Sequence, residues 1–181
     1  MIHPTAVIHP SAELADDVHV GAYSIIEAGV RIAAGTRLAE HVVVRSGSQI
    51  GPGCQVDSFV VIGGQPQMLG SQSIEGRERV GARTVFREGV TISKPSKQGG
   101  MTVVGDDCFL MANSHIGHDC DVGDSVTLAN NVMLAGHVQV GGGTFFGGGA
   151  GVHQFVRVGG RAMSGGHASM SYDVPPFAMA A

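Results

Sequence analysis

Residues 1–32, "MIHPTAVIHPSAELADDVHVGAYSIIEAGVRI", carry a large apolar side chain at every sixth position: Ile2, Ile8, Leu14, Val20, Ile26 and Ile32. The series runs on in the same register through Leu38, Val44, Ile50, Val56 and Ile62 to Met170, and only Gln98 and Ser164 break it. In a chain that is 43% hydrophobic overall, a column of this purity is not chance. A second column lies four residues after the first: Ala6, Ala12, Val18, Ser24, Val30, Thr36 and onward. It holds Ala, Val, Ser, Thr or Cys except at three consecutive positions, Pro66, Gln72 and Glu78. Helices repeat at 3.6 residues and strands at 2, so neither gives a strict six. A hexapeptide unit does: a short strand and a turn, with one large and one small residue pointing inward. Three such units make a triangular coil of about 18 residues, and stacked coils bury a continuous apolar prism.

The breaks in the columns mark where the chain leaves the repeat. One excursion is expected at about 63–79, "GGQPQMLGSQSIEGRER", and another at about 93–101, "SKPSKQGGM", where Gln98 joins a proline and paired glycines. The chain therefore reads as one all-β domain over 1–174, a parallel β-helix, followed by a short tail over 175–181. Glycine supplies 29 of 181 residues, which suits a fold made of tight turns. Cys54, Cys108 and Cys120 all fall in the small inward column, so they are expected as buried small hydrophobes and not as ligands or disulfide partners.

A net charge of −4 gives no reason to expect nucleic acid. Basic residues nevertheless cluster between 77 and 97: Arg77, Arg79, Arg83, Arg87, Lys94 and Lys97, interleaved with Glu75, Glu78 and Glu88. This stretch is either a solvated charged surface or a docking patch for an acidic partner. No run of apolar residues is long enough for a membrane span. The first residues do not read as a signal peptide, so a cytoplasmic protein is the expectation.

Without interruption of the hexads beyond Val104, residues eighteen apart stack on successive coils, about 4.8 Å apart as in any sheet. His118 then lies beneath Gly136, and Gln154 above that. His137 lies above Asp119. His153 sits on the same edge one coil higher, with His115 nearby. None of the four histidines occupies an inward column, so they are not core residues. His3, His9, His19, His41 and His167 lack such company and are expected on the surface. Zinc would want three nitrogen ligands on one centre, as in trimeric hexapeptide metalloenzymes. Alternatively, His118 beside Asp119 and a stacked glycine offers a base, an orienting carboxylate and a backbone N–H, the groups that acyl transfer needs.

In "LMANSHIGHDCDVG" (110–123), "LANNVMLAGHVQV" (128–140), "GVHQFVRVG" (151–159) and "DVPPF" (173–177), the sequence resembles the acyl carrier protein-dependent UDP-N-acetylglucosamine O-acyltransferases that begin lipid A synthesis. The resemblance implies a left-handed β-helix, a homotrimer with sites between subunits, acyl carrier protein and a nucleotide sugar as partners, and no cofactor or metal. It also assigns roles. His118 would be the general base for the sugar 3-hydroxyl, Asp119 its support, and the Gly136 N–H the oxyanion donor. His115, His137, His153, Gln154 and Gln67 would contact substrate, and Gly166 would limit acyl length.

The chain departs from that family in two places. Where the family has Gln-Asp-Leu-Lys, this sequence has Gln67-Met68-Leu69-Gly70, without either charge. It also stops just after "DVPPF", before the helical C-terminal region of family members. A different nucleotide amino-sugar acceptor, a metalloenzyme and a catalytically silent relative therefore stand beside the acyltransferase expectation.

Overall fold

The structure, a computed structural model, describes residues 1–70 and 76–181. Two-residue strands alternate with four-residue corners, and strands eighteen residues apart pair in parallel, as Val7 with Ile25 and Ile25 with Val43. The result is three parallel sheets wound into a prism. Face I starts at Val7–Ile8, face II at Glu13–Leu14 and face III at His19–Val20. The chain visits them in that order and climbs one coil per circuit. The second residue of each strand points inward, and the small residue closing each corner joins it, so Val30, Ile32, Val42 and Val44 form part of one buried column. Cys54, Cys108 and Cys120 lie in that core as free thiols.

Most corners from Tyr23 onward turn because their third residue takes a left-handed backbone. Tyr23, His41, Asp119, His137 and Phe155 all have φ between 58° and 67° although none is glycine. That conformation is uncommon for side-chain-bearing residues. Here it is imposed by the wrap from one sheet to the next, and the ladder bonds on both sides hold it.

The excursions are shorter than the sequence suggested, because strands extend into them. Val61–Gly64 and Arg77–Val80 flank the first, and Thr91–Ser93 and Met101–Val104 flank the second. Among the described residues of the two excursions, 65–70, 76 and 94–100 leave the sheets. Val80 pairs with Ile50, thirty residues earlier, and Val104 with Val80, twenty-four earlier. Both insertions are whole multiples of six residues, which is why the apolar series keeps its register across them. Its member Met68 is consequently not a core residue; it is 48% exposed on the first excursion. Gln72, Ile74 and Glu75 lie outside the described residues.

Two further expectations need correction. The stretch 77–97 is not a uniformly solvated charged surface. Glu78 is 1% exposed and Lys94 7% exposed, both turned into the I–II edge. Arg83 is tied to Asp107 by two bonds of 2.7 Å, and Arg87 to Asp57 at 2.7 Å and Glu88 at 3.0 Å. Arg77, Arg79 and Lys97 remain exposed without a carboxylate partner among the described residues. Nor is 175–181 a loose tail: Val174 bridges Val158, and Met179–Ala180 pairs with Met163–Ser164, continuing face III. No helix among the described residues is long and apolar enough to cross a membrane.

The three faces differ in what they show outward. Face II presents Glu13, Arg31, Arg79, Asp121 and Arg157. Face I presents no charge along its length, from Val7 and Ile25 to Met133, Gly151 and Ser169. Face III is uncharged in its later coils, with Val85, Phe109, Phe145, Met163 and Met179.

Candidate active site

Both excursions leave the prism at the I–II edge. Directly above them, the corner 117–120 closes with only four residues. His118 occupies its second position and Asp119 its third. Consecutive residues would diverge on a strand; here the left-handed turn at Asp119 folds its carboxylate back onto its neighbour. His118 Nδ1 and Asp119 Oδ2 are 2.8 Å apart. A carboxylate only accepts, so Nδ1 carries the hydrogen and Nε2 of the neutral ring keeps its lone pair.

The second position one coil up is Gly136, and its lack of a side chain is required. A Cβ there would collide with Cε1 and Nε2 of His118, whose ring lies over the glycine backbone. The base nitrogen thus sits against a main-chain amide, and the Gly136 N–H donates to no acceptor among the described residues. These groups line a groove of about 570 Å³ along face I with His115, Met133, Gly151, His153, Gln154 and, from the first excursion, Gln67 and Met68.

Asp119 is the hub. Its Oδ2 also accepts the Ser96 N–H at 2.9 Å, and its own N–H donates to Thr102 Oγ1 at 3.0 Å. Burial opposes ionisation of this carboxyl, but hydrogen bonds from Ser96 and His118, with His137 nearby, outweigh it and hold the group below the usual carboxylate range. His137 donates its backbone N–H to the His118 carbonyl at 2.9 Å, packs edge-on to the His118 ring at 5.0 Å and stacks on Phe155 at 4.5 Å. His115 Nδ1 meets Thr91 Oγ1 at 2.8 Å. Burial, and then the nearby His118, push its imidazole down, so it favours the neutral form. His153 is exposed, its Nδ1–H donating to the Gln154 carbonyl at 3.2 Å.

The sequence-derived stacking thus matches the structure for His115, His118, Asp119, Gly136, His137, His153 and Gln154. Gly166 does not join them. It lies on the III–I edge, between Met163–Ser164 and Ser169–Met170, away from the groove of its own chain. Ser96, Thr102, Thr91 and Phe155 escaped the sequence reading. Only Phe155 left a trace, inside "VHQF"; the others reach the site through the excursion or through coils below. Cys120 beside Asp119 is inert, its thiol pushed up to about 12, chiefly by burial. Among the described residues one group could hold a metal: His118, Asp119 and His137 each offer one ligand atom, and these lie within 4.8 Å of one another. It would supply two ring nitrogens and a carboxylate from a single chain, not the three nitrogens of the metalloenzyme alternative.

A three-faced coil with a histidine–carboxylate pair at one corner defines a hexapeptide-repeat protein, and residues 101–136 match the family model for the bacterial transferase hexapeptide (six repeats). The superposable structures establish the left hand of the helix. The chain belongs to the acyl-[acyl-carrier-protein]–UDP-N-acetylglucosamine O-acyltransferase family. It is 45% identical over 192 residues to the protein of that name from Xanthomonas euvesicatoria pv. vesicatoria, covering 99% of this chain and 68% of that one. The protein of the same name from Syntrophobacter fumaroxidans is 45% identical over 119 residues, 65% of this chain and 46% of that one. The crystal structure of UDP-N-acetylglucosamine O-acyltransferase from Moraxella catarrhalis superposes with a TM-score of 0.96 at 39% identity, covering 98% of this chain and 70% of that chain. The matched region is therefore about half to two thirds of these relatives' length.

Proposed function

We propose that this chain transfers a hydroxyacyl group from an acyl carrier protein thioester to the 3-hydroxyl of UDP-N-acetylglucosamine. The observation that carries this is His118: Nδ1–H bound to Asp119 and Nε2 over the Gly136 backbone, in an uncharged groove. Nε2 takes the hydroxyl proton as the sugar oxygen attacks the thioester carbonyl carbon. The Gly136 N–H then faces the oxyanion of the tetrahedral intermediate. The C–S bond breaks, and the imidazolium returns its proton to the departing thiolate, so the base is regenerated. Asp119 fixes the tautomer and supports the transient imidazolium. His115, His153, Gln154 and Gln67 line the groove and supply neutral polar contacts.

Assembly follows from the faces. The uncharged face I of one copy fits the uncharged later coils of face III of another. A head-to-tail contact of this kind makes a ring when its rotation closes, and on the family resemblance we assign a ring of three, with charged face II outward. A neighbour is also the way Gly166, on another edge of its own chain, would reach a groove to limit acyl length. Arg77, Arg79 and Lys97, exposed beside the second excursion, suit the acidic acyl carrier protein. That donor places the reaction in the cytoplasm.

One observation favours a second acceptor. No Lys, Arg, Asp or Glu is among the described residues lining the groove, and Met68 stands where a charged contact to the sugar would be. A groove that lacks groups built to bond a substrate loses discrimination, so another nucleotide amino sugar is the alternative.

The test is acyl transfer from hydroxyacyl-acyl carrier protein to UDP-N-acetylglucosamine by this chain and its His118→Ala variant. The expected result is product from the parent and a loss of about 10²–10⁴-fold in the variant. Product from neither, with turnover of an amino-sugar nucleotide, would favour the alternative. Equal activity in both would remove His118 from the mechanism.

A further inference from the structure

Beneath the catalytic corner, the small inward column turns polar. Ser48, Glu78 and Thr102 follow one another up the I–II edge, all buried. Glu78 Oε2 lies 2.7 Å from Ser48 Oγ, which is also 2.8 Å from the Arg45 carbonyl. A hydroxyl has one hydrogen, so both bonds form together when Glu78 carries a proton and donates to Ser48. Burial pushes the Glu78 carboxyl up, in keeping with that arrangement. Its other oxygen has no hydrogen-bond partner among the described residues.

Lys94 lies in the same buried space and its charge acts on Glu78. Its Nζ donates to the Ser46 carbonyl at 3.0 Å, two coils below. Its backbone N–H donates to the Gly64 carbonyl at 2.7 Å, at the root of the first excursion. Both ends of this residue are therefore anchored. Pro95 follows, seated between two glycines: a Cβ at Gly76 would collide with its ring, and one at Gly100 would come within 2.9 Å of its Cβ. Then comes Ser96, whose N–H bonds the same Asp119 oxygen that accepts His118 Nδ1–H.

We propose that Lys94 is a positioning residue for the base: anchored beside Glu78, it holds Lys94–Pro95–Ser96 so that the Ser96 N–H fixes the Asp119 carboxylate against His118. This rests on His118 and Asp119 being the reacting pair. A site of this kind tolerates about 0.5 Å of play before supporting contacts lapse. Only Pro95 stands between the buried anchor and the contact, and its fixed φ allows little slack.

The test compares the parent with Lys94→Met and with the double variant Lys94→Met/Glu78→Gln. Removing one of two buried polar partners is often destabilising, because the other is left unsatisfied, whereas replacing both is milder. The double variant therefore carries the test if the single variant unfolds. The first readout needs no substrate: titration of the Asp119 carboxyl by ¹³C NMR. The titratable groups facing it are His118 on its own corner, His137 above and Cys120 beside it, and none is altered. Loss of the Ser96 contact removes a bond that favours the ionised form, so Asp119 should titrate at higher pH. The second readout is turnover, expected to fall about 10- to 100-fold in kcat with little change in KM. A folded double variant in which Asp119 titrates as in the parent, whatever its melting temperature, would show Lys94 to be structural only and overturn the proposal. A parent without acyl transfer would defeat the functional assignment above while leaving the NMR comparison to decide this one.

Discussion

Two edges of the prism carry the same arrangement of stacked residues, with different consequences. On the III–I edge, Tyr23, His41 and Phe59 sit eighteen residues apart at the third corner position, with φ of 58°, 58° and 65°. Their rings stack at 5.3 and 5.2 Å. On the I–II edge, Asp119, His137 and Phe155 occupy the same position on successive coils, with φ of 59°, 61° and 67°. The backbones are equivalent; the neighbours are not. Beside His41 the second positions are Ala22, Glu40 and Ser58, and the ladder stands exposed. Beside His137 they are His118, Gly136 and Gln154, and an excursion runs under the carboxylate. A repeated corner thus places side chains with ångström accuracy anywhere on the prism. It yields a candidate site only where the second position supplies a base, the next coil supplies a bare backbone, and an insertion supplies an extra donor.

Breaking the glycine should have the largest effect. In Gly136→Ala the new methyl would meet the His118 ring, displacing the base and crowding the oxyanion donor. Activity is expected to fall about 10³-fold or more, with a circular dichroism spectrum like the parent's. Near-parental turnover would mean that the ring does not work over Gly136.

Asp119→Asn should come next, with kcat reduced about a hundredfold in steady-state assays. It also has a pH signature. The Asp119 carboxyl is held below its ordinary value in the folded chain, so its ionised form contributes stability above the usual carboxylate range, about pH 4. That contribution is lost as pH falls through the folded value. The difference in melting temperature between parent and Asp119→Asn should therefore narrow from about pH 6 to about pH 3, and a constant gap would contradict it.

A chelator sharpens the comparison in another way, because among the described residues only the I–II ladder places a carboxylate and two imidazoles within 4.8 Å. Dialysis against EDTA is expected to leave acyl transfer unchanged. Loss of activity restored by zinc would make those donors a metal centre. The smallest effect belongs to His41→Ala, which keeps the corner and removes one exposed ring. Turnover should match the parent and the melting temperature should stay within about 2 °C; a larger loss would mean that the III–I ladder supports the fold.

The six-residue period by itself determined the prism, the buried cysteines and the vertical neighbours of His118, because a strict repeat converts sequence distance into spatial position. It placed His137 over Asp119 and Gly136 over His118 by counting alone. Counting failed where the chain left the repeat. Insertions that are multiples of six keep the register, so Met68 fell in the core column; position 78 fell in the inward column but its charge read as a break, and nothing in the period indicated that Lys94 would turn inward. The Ser96 bond to Asp119 was equally hidden, since it depends on how a short excursion packs around Pro95 and not on any spacing. Gly166 marks a related limit: a single prism has three edges, and one chain cannot bring two of them to the same groove. Local periodicity encodes what lies above what; only tertiary packing decided which loop closes on the carboxylate.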